Sequence, residues 1–354
     1  MRNRLIIVGA GPAGLSLARA LARSGAEITL VERQSRAALA DPPPDGREIA
    51  LTQTSVRHLR DLGVLVSNHL IRRALFAAVE GQDGITLMCG REVREARADS
   101  DGVSVKLDDG TRLEGDLLVA ADSRFSSTRA ALGIGAEMIP IGKSMLVCRV
   151  RHEQPHEGIA TEWFDYKRTI AMLPLAPGIS SLVLTLPHER AQDLAALPLA
   201  ALGPQFAALT RNRWGAMEAV GPVVAYPLTM TFAHRLCAAR TALIGDAAVG
   251  MHPVTAHGFN LGLAGAMRLA RQLQGAPDIG ETRLLRRFAV AHRAATRPLY
   301  LATLALVRLY TDERPPARAL RKAMLHTGAV PLVRRALGAM LVDRAHPRPI
   351  RARG

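Results

Sequence analysis

The stretch LIIVGAGPAGLSLARALARSGAEITLVE, residues 5–32, decides the fold of the first part of this chain. A short apolar run is followed by the turn GAGPAG, then by apolar residues at helical spacing and a second apolar run. This order predicts strand, glycine turn, helix and strand, the unit that binds dinucleotides when its glycines are spaced G-x-G-x-x-G. Gly9, Gly11 and Gly14 meet that spacing.

Each residue of this unit has a mechanical role in that interpretation. Gly9 permits the tight turn, Gly11 lets the backbone approach a pyrophosphate, and Gly14 lets the helix pack closely on the strand. The phosphates then lie at the helix N-terminus, where unpaired amides and the dipole favour negative charge. Glu32, 18 residues after Gly14, can accept hydrogen bonds from an adenosine ribose, and Arg33 beside it is a further candidate. These residues leave open whether the dinucleotide is NAD or FAD.

Composition limits the class of protein. The chain has 354 residues, 48% hydrophobic and 22% charged, which is typical of a globular protein with one large domain or two. Its three cysteines are widely spaced, so we predict no disulfide framework, no metal site and a cytoplasmic location. Glycine interrupts the first apolar run at residue 9, and no run of about 18 apolar residues follows, so neither a signal peptide nor a transmembrane helix is expected.

Positive charge is concentrated near the C-terminus. The net charge is +15, and residues 283–354 hold 16 Lys and Arg against 3 Asp and Glu. Such a region suits an anionic membrane surface or an acidic protein partner, so attachment to the inner face of a membrane is one expectation. Solvated helix faces explain the same charges equally well. Nucleic acid is not expected, because the region lacks interleaved aromatic residues and groove-reading motifs.

A second motif follows a predicted hairpin. The run VSVKLDDGTRLEGDLLVAADS, residues 103–123, indicates two strands turning at Asp108 to Gly110 and then a buried strand. The segment AADSRFSSTR, residues 120–129, comes next, and Asp122 is its candidate binding residue. A helix N-cap is the structural alternative for Asp122.

The third motif, GDAAVGMHPVTAHGFN at residues 245–260, is unusual for a protein interior. Glycine, proline, histidine, aspartate and asparagine stand among small apolar residues, between an apolar run and a helix-like segment. Small residues of this kind let backbone approach a flat polar ring. The motif lies more than 200 residues after the glycine turn, so one cofactor would be held at both ends. NAD-dependent dehydrogenases do not need that second contact.

In this order, the three motifs resemble those of the class A flavoprotein monooxygenases, and among them the ubiquinone-biosynthesis hydroxylases. GREIALT, residues 46–52, resembles the segment whose arginine, here Arg47, reaches the FAD phosphates. SNHLIRRAL, residues 67–75, resembles a helix that approaches the flavin with a polar residue, here Asn68. GDAAVGMHPVTAHGFNLGL and ALVRLYTDERPPARALR are most similar to the UbiM-type branch, the 5-demethoxyubiquinol hydroxylases.

The resemblance implies roles within the second and third motifs. Asp122 would lie near the pyrophosphate and the path of the pyridine nucleotide, although Ser123 stands where the family has glycine. Gly245 would admit the flavin chain, and Asp246 would bind the ribityl hydroxyls. The residues implied to contact the isoalloxazine ring are Pro253, Gly258, Phe259 and Asn260.

The implied reaction is hydroxylation of a quinone or phenolic ring. FAD reduced by NADH or NADPH would transfer one oxygen atom of O2 to the electron-rich ring, so a dedicated acid or base is not obligatory. His252 and His257 lie where a proton donor or a contact at the flavin edge would be useful, and an ordinary imidazole pKa of about 6.5 suits that work. Packing or loop hydrogen bonding is the alternative for both histidines. More usual relatives carry glutamine where His257 stands.

The whole pattern predicts an α/β fold with an α+β insertion. The runs MLVCRV, TIAMLPL and SSLVLTL, separated by Pro and Gly, indicate an antiparallel sheet, and the chain after Asn260 is mainly helical. We therefore predict a discontinuous Rossmann-like FAD-binding domain at residues 1–138 and 233–290. A substrate domain at 139–232 and a basic helical region at 291–354 complete the chain.

One departure from the family pattern follows Gly63. Between RHLRDLG and VLVSNH the family normally has several dozen more residues, including a strand that borders the substrate, whereas here the two pieces abut. The loss would widen the pocket, remove a sheet edge, or leave a protein that binds FAD and hydroxylates poorly. Three functions stay open: a quinone-ring hydroxylase, another flavin enzyme that hydroxylates a soluble phenol or reduces an isoprenoid, and a noncatalytic FAD-containing assembly subunit.

Overall fold

The computed structural model describes residues 3–43, 49, 51–61, 70–165, 168–253, 258–311 and 314–316. The described strands are β1 Arg4–Val8, β2 Glu27–Glu32, β3 Ile85–Cys89, β4 Val93–Ala98, β5 Val103–Leu107, β6 Arg112–Gly115, β7 Leu117–Ala120, β8 Ala136–His152, β9 Thr161–Asp165, β10 Arg168–Ala176, β11 Ile179–Pro187, β12 Met217–Ala219, β13 Val224–Ala233, β14 Cys237–Ala238, β15 Thr241–Leu243 and β16 Val249–Gly250. The described helices are α1 Pro12–Leu21, α2 Arg36–Ala40, α3 Gln53–Asp61, α4 Ile71–Val79, α5 Ser127–Ala131, α6 His188–Ala195, α7 Leu199–Leu209, α8 Gly245–Ala248, α9 Gly258–Leu273 and α10 Thr282–Thr311.

A six-stranded sheet forms the first layer, in the order β14-β15-β7-β1-β2-β3. All its pairings are parallel except that of β14 with β15. Its central strands are nearly continuous apolar runs because both faces of the sheet are covered. Helices α1, α4 and α9 pack on one face, and the small antiparallel sheet β4-β5-β6 packs on the other.

A second, antiparallel sheet is built from strands β8 to β13, which lie between β7 and β14 in the sequence, together with β16. Its path is β16-β13-β8-β11-β10-β9, and β12 also pairs with β8. Alternate residues of β8 divide between its faces: Leu146 and Cys148 join the core that includes residues of α6 and α7, whereas Met145 and Val147 lie on the opposite face. The strand β16 comes from the third sequence motif, so that motif is hydrogen-bonded into the inserted sheet.

The C-terminal part described is helical. α9 packs on the parallel sheet, and α10 runs without a break for 30 residues. The buried face of α10 includes Tyr300 and Leu304, which share a core with residues of β13 and α8. The apolar segment around residue 300 therefore packs inside the protein on one side.

The predicted fold class is confirmed, including the hairpin over residues 103–115 and the antiparallel insertion. The inserted strands from β8 to β13 extend from Ala136 to Ala233, and α10 crosses the boundary we drew at residue 291. The division into domains stays a prediction. Among the described residues, no helix combines the length and apolar character that crossing a bilayer requires.

Candidate functional site

The glycine turn lies at the carboxyl end of β1 and is packed against the end of β7. Gly9 has a φ of +109°, a value that favours glycine, and a Cβ there would lie 2.5 Å from the Ala121 carbonyl oxygen. A Cβ at Gly14 would collide with the carbonyl oxygen of Gly9. Gly11 differs: among the described residues a Cβ there would meet only the Ala121 carbonyl oxygen, at 4.0 Å. Space is therefore open at the glycine expected to face a pyrophosphate.

The first turn of α1 has free capacity for an anion. Gly11 is the N-cap residue, so no side chain in the described part of the chain caps the first amides, and Pro12 occupies the start of the helix. Amides at such an end are unpaired, and the helix dipole adds positive potential there. A phosphate group fits this position.

Glu32 lies beside the turn and is anchored by backbone. Its Oε2 accepts a hydrogen bond from the Ala10 amide at 2.7 Å, and its Oε1 accepts one from the Gln34 amide at 2.9 Å. A carboxylate can accept about four bonds, so capacity remains for ribose hydroxyls. Arg33, the next residue, is exposed.

Asp122 follows β7 and lies directly against the glycine turn. Its Oδ2 accepts a hydrogen bond from the Thr128 amide at 3.4 Å, so Asp122 supports the start of α5, whose N-cap residue is Ser126. Its Oδ1 is buried and has no hydrogen-bond partner among the described residues. A buried carboxylate oxygen without a partner is costly, which favours a ligand or water at this point.

The third motif meets the glycine turn in space. Gly245 has a φ of +59°, and a Cβ there would lie 3.0 Å from the Cβ of Ala13 in α1. Gly262 in α9 is also close, since its Cβ would lie 3.4 Å from the Cα of Gly245. Two glycine-bearing loops more than 200 residues apart therefore form one wall, as the two-ended cofactor hypothesis requires.

Asp246, in the first turn of α8, is held by an arginine that sequence reasoning missed. Nη2 of Arg124 donates a hydrogen bond to Oδ2 of Asp246 at 2.8 Å, and Nη1 donates one to the Thr229 carbonyl at 3.0 Å. The buried Arg129 donates to the Ala247 carbonyl at 2.8 Å. Both arginines stand in the second motif, but their partners lie over 100 residues away, and no sequence spacing reveals them.

The remainder of the third motif is partly described. Burial, followed by the charges of Arg124 and Lys143, lowers the pKa of His252 to about 4, in contrast to the ordinary value we assumed from sequence. Asn260 is buried, and its Oδ1 accepts a hydrogen bond from the Thr52 amide at 3.0 Å. Pro253 and Phe259 are half-buried, and a Cβ at Gly258 would meet none of the described residues within 4 Å. Arg47, Asn68 and His257 lie outside the described residues.

These residues fit an elongated dinucleotide with a flat ring. The described wall offers open space at Gly11, an uncapped helix start, an anchored carboxylate at Glu32 and a buried oxygen without a partner at Asp122. Gly245 and Asp246 continue that wall. We propose that the phosphates and the adenosine ribose would lie at the turn, and the ribityl chain at Asp246.

Comparison with known proteins identifies the cofactor and the class. The sequence profile of the FAD binding domain family matches residues 2–70 and 65–287. In structure, the chain is similar to the anhydrotetracycline hydroxylase OxyS of Streptomyces rimosus, with a TM-score of 0.74 at 22% identity, covering 99% of this chain and 78% of that one. The family match defines an FAD-binding flavoprotein, and the structural likeness shows that it has the fold of this hydroxylase.

Two relatives narrow the class. The chain is 38% identical to the ubiquinone hydroxylase UbiM of Neisseria meningitidis, covering 93% of this chain and 82% of the relative. It is 31% identical to the ubiquinone hydroxylase UbiL of Rhodospirillum rubrum, covering 98% of this chain and 92% of the relative. The chain belongs to the ubiquinone-biosynthesis hydroxylase family.

The comparisons also bear on the shortened region after Gly63. The alignment with UbiM spans 376 residues, more than the 354 of this chain, so that relative carries residues without a counterpart here. The family match is split into two parts that meet at residues 65–70. Both facts agree with an abrupt junction after Gly63, a position outside the described residues.

Proposed function

We propose that the protein hydroxylates the ring of a ubiquinone-biosynthesis intermediate, with NADH or NADPH as reductant and O2 as the oxygen source. The observation that carries this proposal is the pairing of β13 with β16, because this pairing joins the inserted sheet to the third motif. The face of this sheet opposite α6 and α7 includes Met145, Val147 and Leu228. An apolar face on a sheet that is joined to the third motif suits a ring that carries an isoprenoid chain.

The named relatives support the substrate class. UbiM and UbiL are both named as ubiquinone hydroxylases, and both align with more than nine-tenths of this chain. We infer the same class of substrate, an electron-rich ring of quinone type, for this protein. NADH or NADPH is inferred from the requirement of this reaction type for an external reductant.

The protein's own part in the reaction is to bind, orient and exclude water. When bound, FAD supplies the acceptance of a hydride and the activation of O2. Glu32, the α1 amides and Asp246 would hold it from two ends. His252 stays neutral at pH 7 because its pKa is lowered to about 4, so it serves as a neutral hydrogen-bonding group, not as an imidazolium acid.

A turnover assay tests the proposal. Purified holoprotein is given NADH or NADPH, ¹⁸O2 and a demethoxyubiquinol carrying a short isoprenoid chain, with a soluble phenol in a parallel reaction. We expect the quinol to stimulate oxidation of the reductant and to gain one ¹⁸O atom. Hydroxylation of the soluble phenol alone would reject the quinol assignment, and oxidation of the reductant without labelled product would indicate that the shortened chain does not couple the two steps.

Two aspartate variants connect that activity to the site. Asp246→Ala should lose FAD, because Asp246 is assigned to the ribityl hydroxyls. The matched control is Asp278→Ala, whose carboxylate pairs with Arg240 at 2.8 Å and 3.0 Å at the amino-terminal edge of the parallel sheet. Full flavin occupancy in Asp246→Ala, read from the ratio of absorbance at about 450 nm to that of the protein, would contradict the assignment.

We also propose that the protein attaches peripherally to an anionic membrane surface through α10. This helix has six arginines and no Asp or Glu over residues 282–311. Its exposed face includes Arg283, Arg286 and Arg287. Two apolar side chains lie between cationic positions of the helix, Val290 at 70% exposed and Leu301 at 46% exposed. Cationic side chains flanking exposed apolar ones suit a helix lying in the plane of an anionic bilayer surface.

Vesicle sedimentation tests the attachment. We expect binding to vesicles of phosphatidylglycerol and phosphatidylcholine, weaker binding in high salt, and loss of binding when Arg283, Arg286 and Arg287 are all changed to Gln. The control triple variant changes Arg91, Arg94 and Arg97, exposed arginines that pair with acidic neighbours. Equal loss in both triple variants, or equal binding to pure phosphatidylcholine, would reject α10 as the attachment surface.

A further inference from the structure

Arg124 occupies a junction of three parts of the fold. Its backbone belongs to the second motif, which follows β7 of the parallel sheet. Its guanidinium donates hydrogen bonds to Asp246 in the third motif and to the carbonyl of Thr229 in the inserted sheet. The side chain is 24% exposed, and that of Asp246 is 37% exposed, so this pair is partly shielded from water.

The junction is built around this side chain. A Cβ at Gly250 would lie 3.1 Å from the Cβ of Arg124, so the backbone of β16 passes close beside it. Arg129 donates a hydrogen bond to the carbonyl of Arg124 at 3.1 Å and thereby fixes its backbone. The side chain is therefore positioned from two directions.

The contact with Thr229 lies at an irregularity in the inserted sheet. The pairing of β13 with β8 shifts register between Pro227 and Thr229. Carbonyl groups at such a bulge lose their ladder partners, and a buried carbonyl needs another donor. Arg124 donates to the carbonyl at this point, so the irregular part of β13 and the carboxylate of Asp246 share one cation.

We propose that Arg124 is a positioning residue for the flavin site, acting through Asp246. Its guanidinium holds one carboxylate oxygen of Asp246, and this contact orients the other oxygen toward the ribityl chain of the flavin. The guanidinium also fixes β13 relative to the third motif. A hydrogen bond between two charged groups is stronger than a hydrogen bond between two neutral groups. This inference depends on FAD binding and is independent of the identity of the ring that is hydroxylated.

Two substitutions of Arg124 test the role. Arg124→Met keeps most of the side-chain length without charge, and Arg124→Lys keeps the charge but lacks the forked geometry. We expect the dissociation constant for FAD to rise about tenfold in Arg124→Met and less in Arg124→Lys, with altered visible circular dichroism of the bound flavin. The matched control is Arg240→Met, which removes another paired arginine at the opposite edge of the parallel sheet.

A double-mutant cycle distinguishes positioning from general stability. If Arg124 acts through Asp246, Arg124→Met should weaken FAD binding little further in a chain that already carries Asp246→Asn, a milder change that keeps one side-chain oxygen and leaves FAD binding measurable. Additive losses in the cycle would overturn the proposal. An FAD dissociation constant for Arg124→Met within about twofold of the wild-type value would also overturn it. So would an equal rise of the FAD dissociation constant in Arg240→Met, if the two variants lower Tm by the same amount. Quinol turnover does not enter these measurements, so failure of the substrate assignment leaves them interpretable.

Discussion

Single residues divide the glycine turn into a packed part and an open part. Gly14 cannot carry a side chain without meeting the Gly9 carbonyl, whereas Gly11 has open space among the described residues. The backbone of Gly11 has φ −71° and ψ 175°, a conformation that alanine adopts readily. Glycine is therefore required at these two positions for different reasons.

This difference leads to a prediction for Gly11→Ala. The apo variant should unfold at a Tm close to that of the wild type, because the new methyl group meets little protein and the backbone suits alanine. Its dissociation constant for FAD should rise by about tenfold or more, because the methyl group occupies space assigned to the pyrophosphate. Gly14→Ala is the comparison and should lose stability. Wild-type FAD affinity in Gly11→Ala would contradict the placement of the phosphates.

Buried histidines make stability depend on pH. His292 is 1% exposed and accepts a hydrogen bond from Arg268 at 3.1 Å, and burial followed by Arg268 lowers its pKa to about 4. The unfolded chain, with an ordinary pKa of about 6.5, binds more protons between pH 6.5 and pH 4. The free energy of unfolding therefore falls as pH decreases through that window, and His252 acts in the same direction.

Urea unfolding at pH 7 and pH 5 measures this effect. We expect His292→Gln to reduce the loss of unfolding free energy between the two pH values by about 1–2 kcal/mol, because glutamine does not titrate. The comparison uses the difference between pH values, so a constant effect of the substitution cancels. An unchanged pH dependence would show that His292 is not responsible.

At the scale of secondary structure, the helix α10 connects the two sheets. Phe232 of β13 and Tyr300 of α10 make an edge-to-face contact with ring centroids 5.0 Å apart. The Tyr300 hydroxyl is buried without a partner among the described residues, and burial, followed by Glu137, raises its pKa to about 12. The ring stabilises this helix contact, whereas the hydroxyl opposes it.

Tyr300→Phe should therefore leave stability unchanged or raise the free energy of unfolding by about 1 kcal/mol. Tyr300→Ala is the contrasting variant and should destabilise by about 3–5 kcal/mol through loss of the buried ring. Thermal unfolding of both variants measures the two contributions separately. A clear destabilisation in Tyr300→Phe would indicate that an ordered water bonds the hydroxyl.

At the scale of the whole molecule, the cofactor wall joins parts of the chain that are far apart in sequence. α1, the end of β7, α8 and α9 all contribute to it, and β16 connects it to the inserted sheet. A ligand that binds this assembled wall stabilises the folded state by mass action. FAD should therefore stabilise the entire described fold, not only the glycine turn.

The corresponding prediction concerns thermal unfolding with and without FAD. At free FAD about 100 times its dissociation constant, the free energy of unfolding should rise by about 2.7 kcal/mol, with a higher Tm. Asp246→Ala should show little of this rise at the same FAD concentration. A Tm that does not respond to saturating FAD in the wild type would mean that the wall is not assembled by folding alone.

Local sequence determined the parts of this protein that depend on near neighbours. The strand, turn, helix and strand over residues 4–32 follow from apolar spacing and three glycines, and the hairpin at Asp108 to Gly110 follows from alternation and turn residues. The family resemblance added the long-range assignment of Asp246 to the flavin, which spacing alone does not give. Tertiary structure decided the pairing of Arg124 with Asp246, the burial of an Asp122 oxygen that has no partner in the described part of the chain, and the lowered pKa of His252. These depend on burial and on contacts between residues more than 100 positions apart, which arise only when the two sheets pack together.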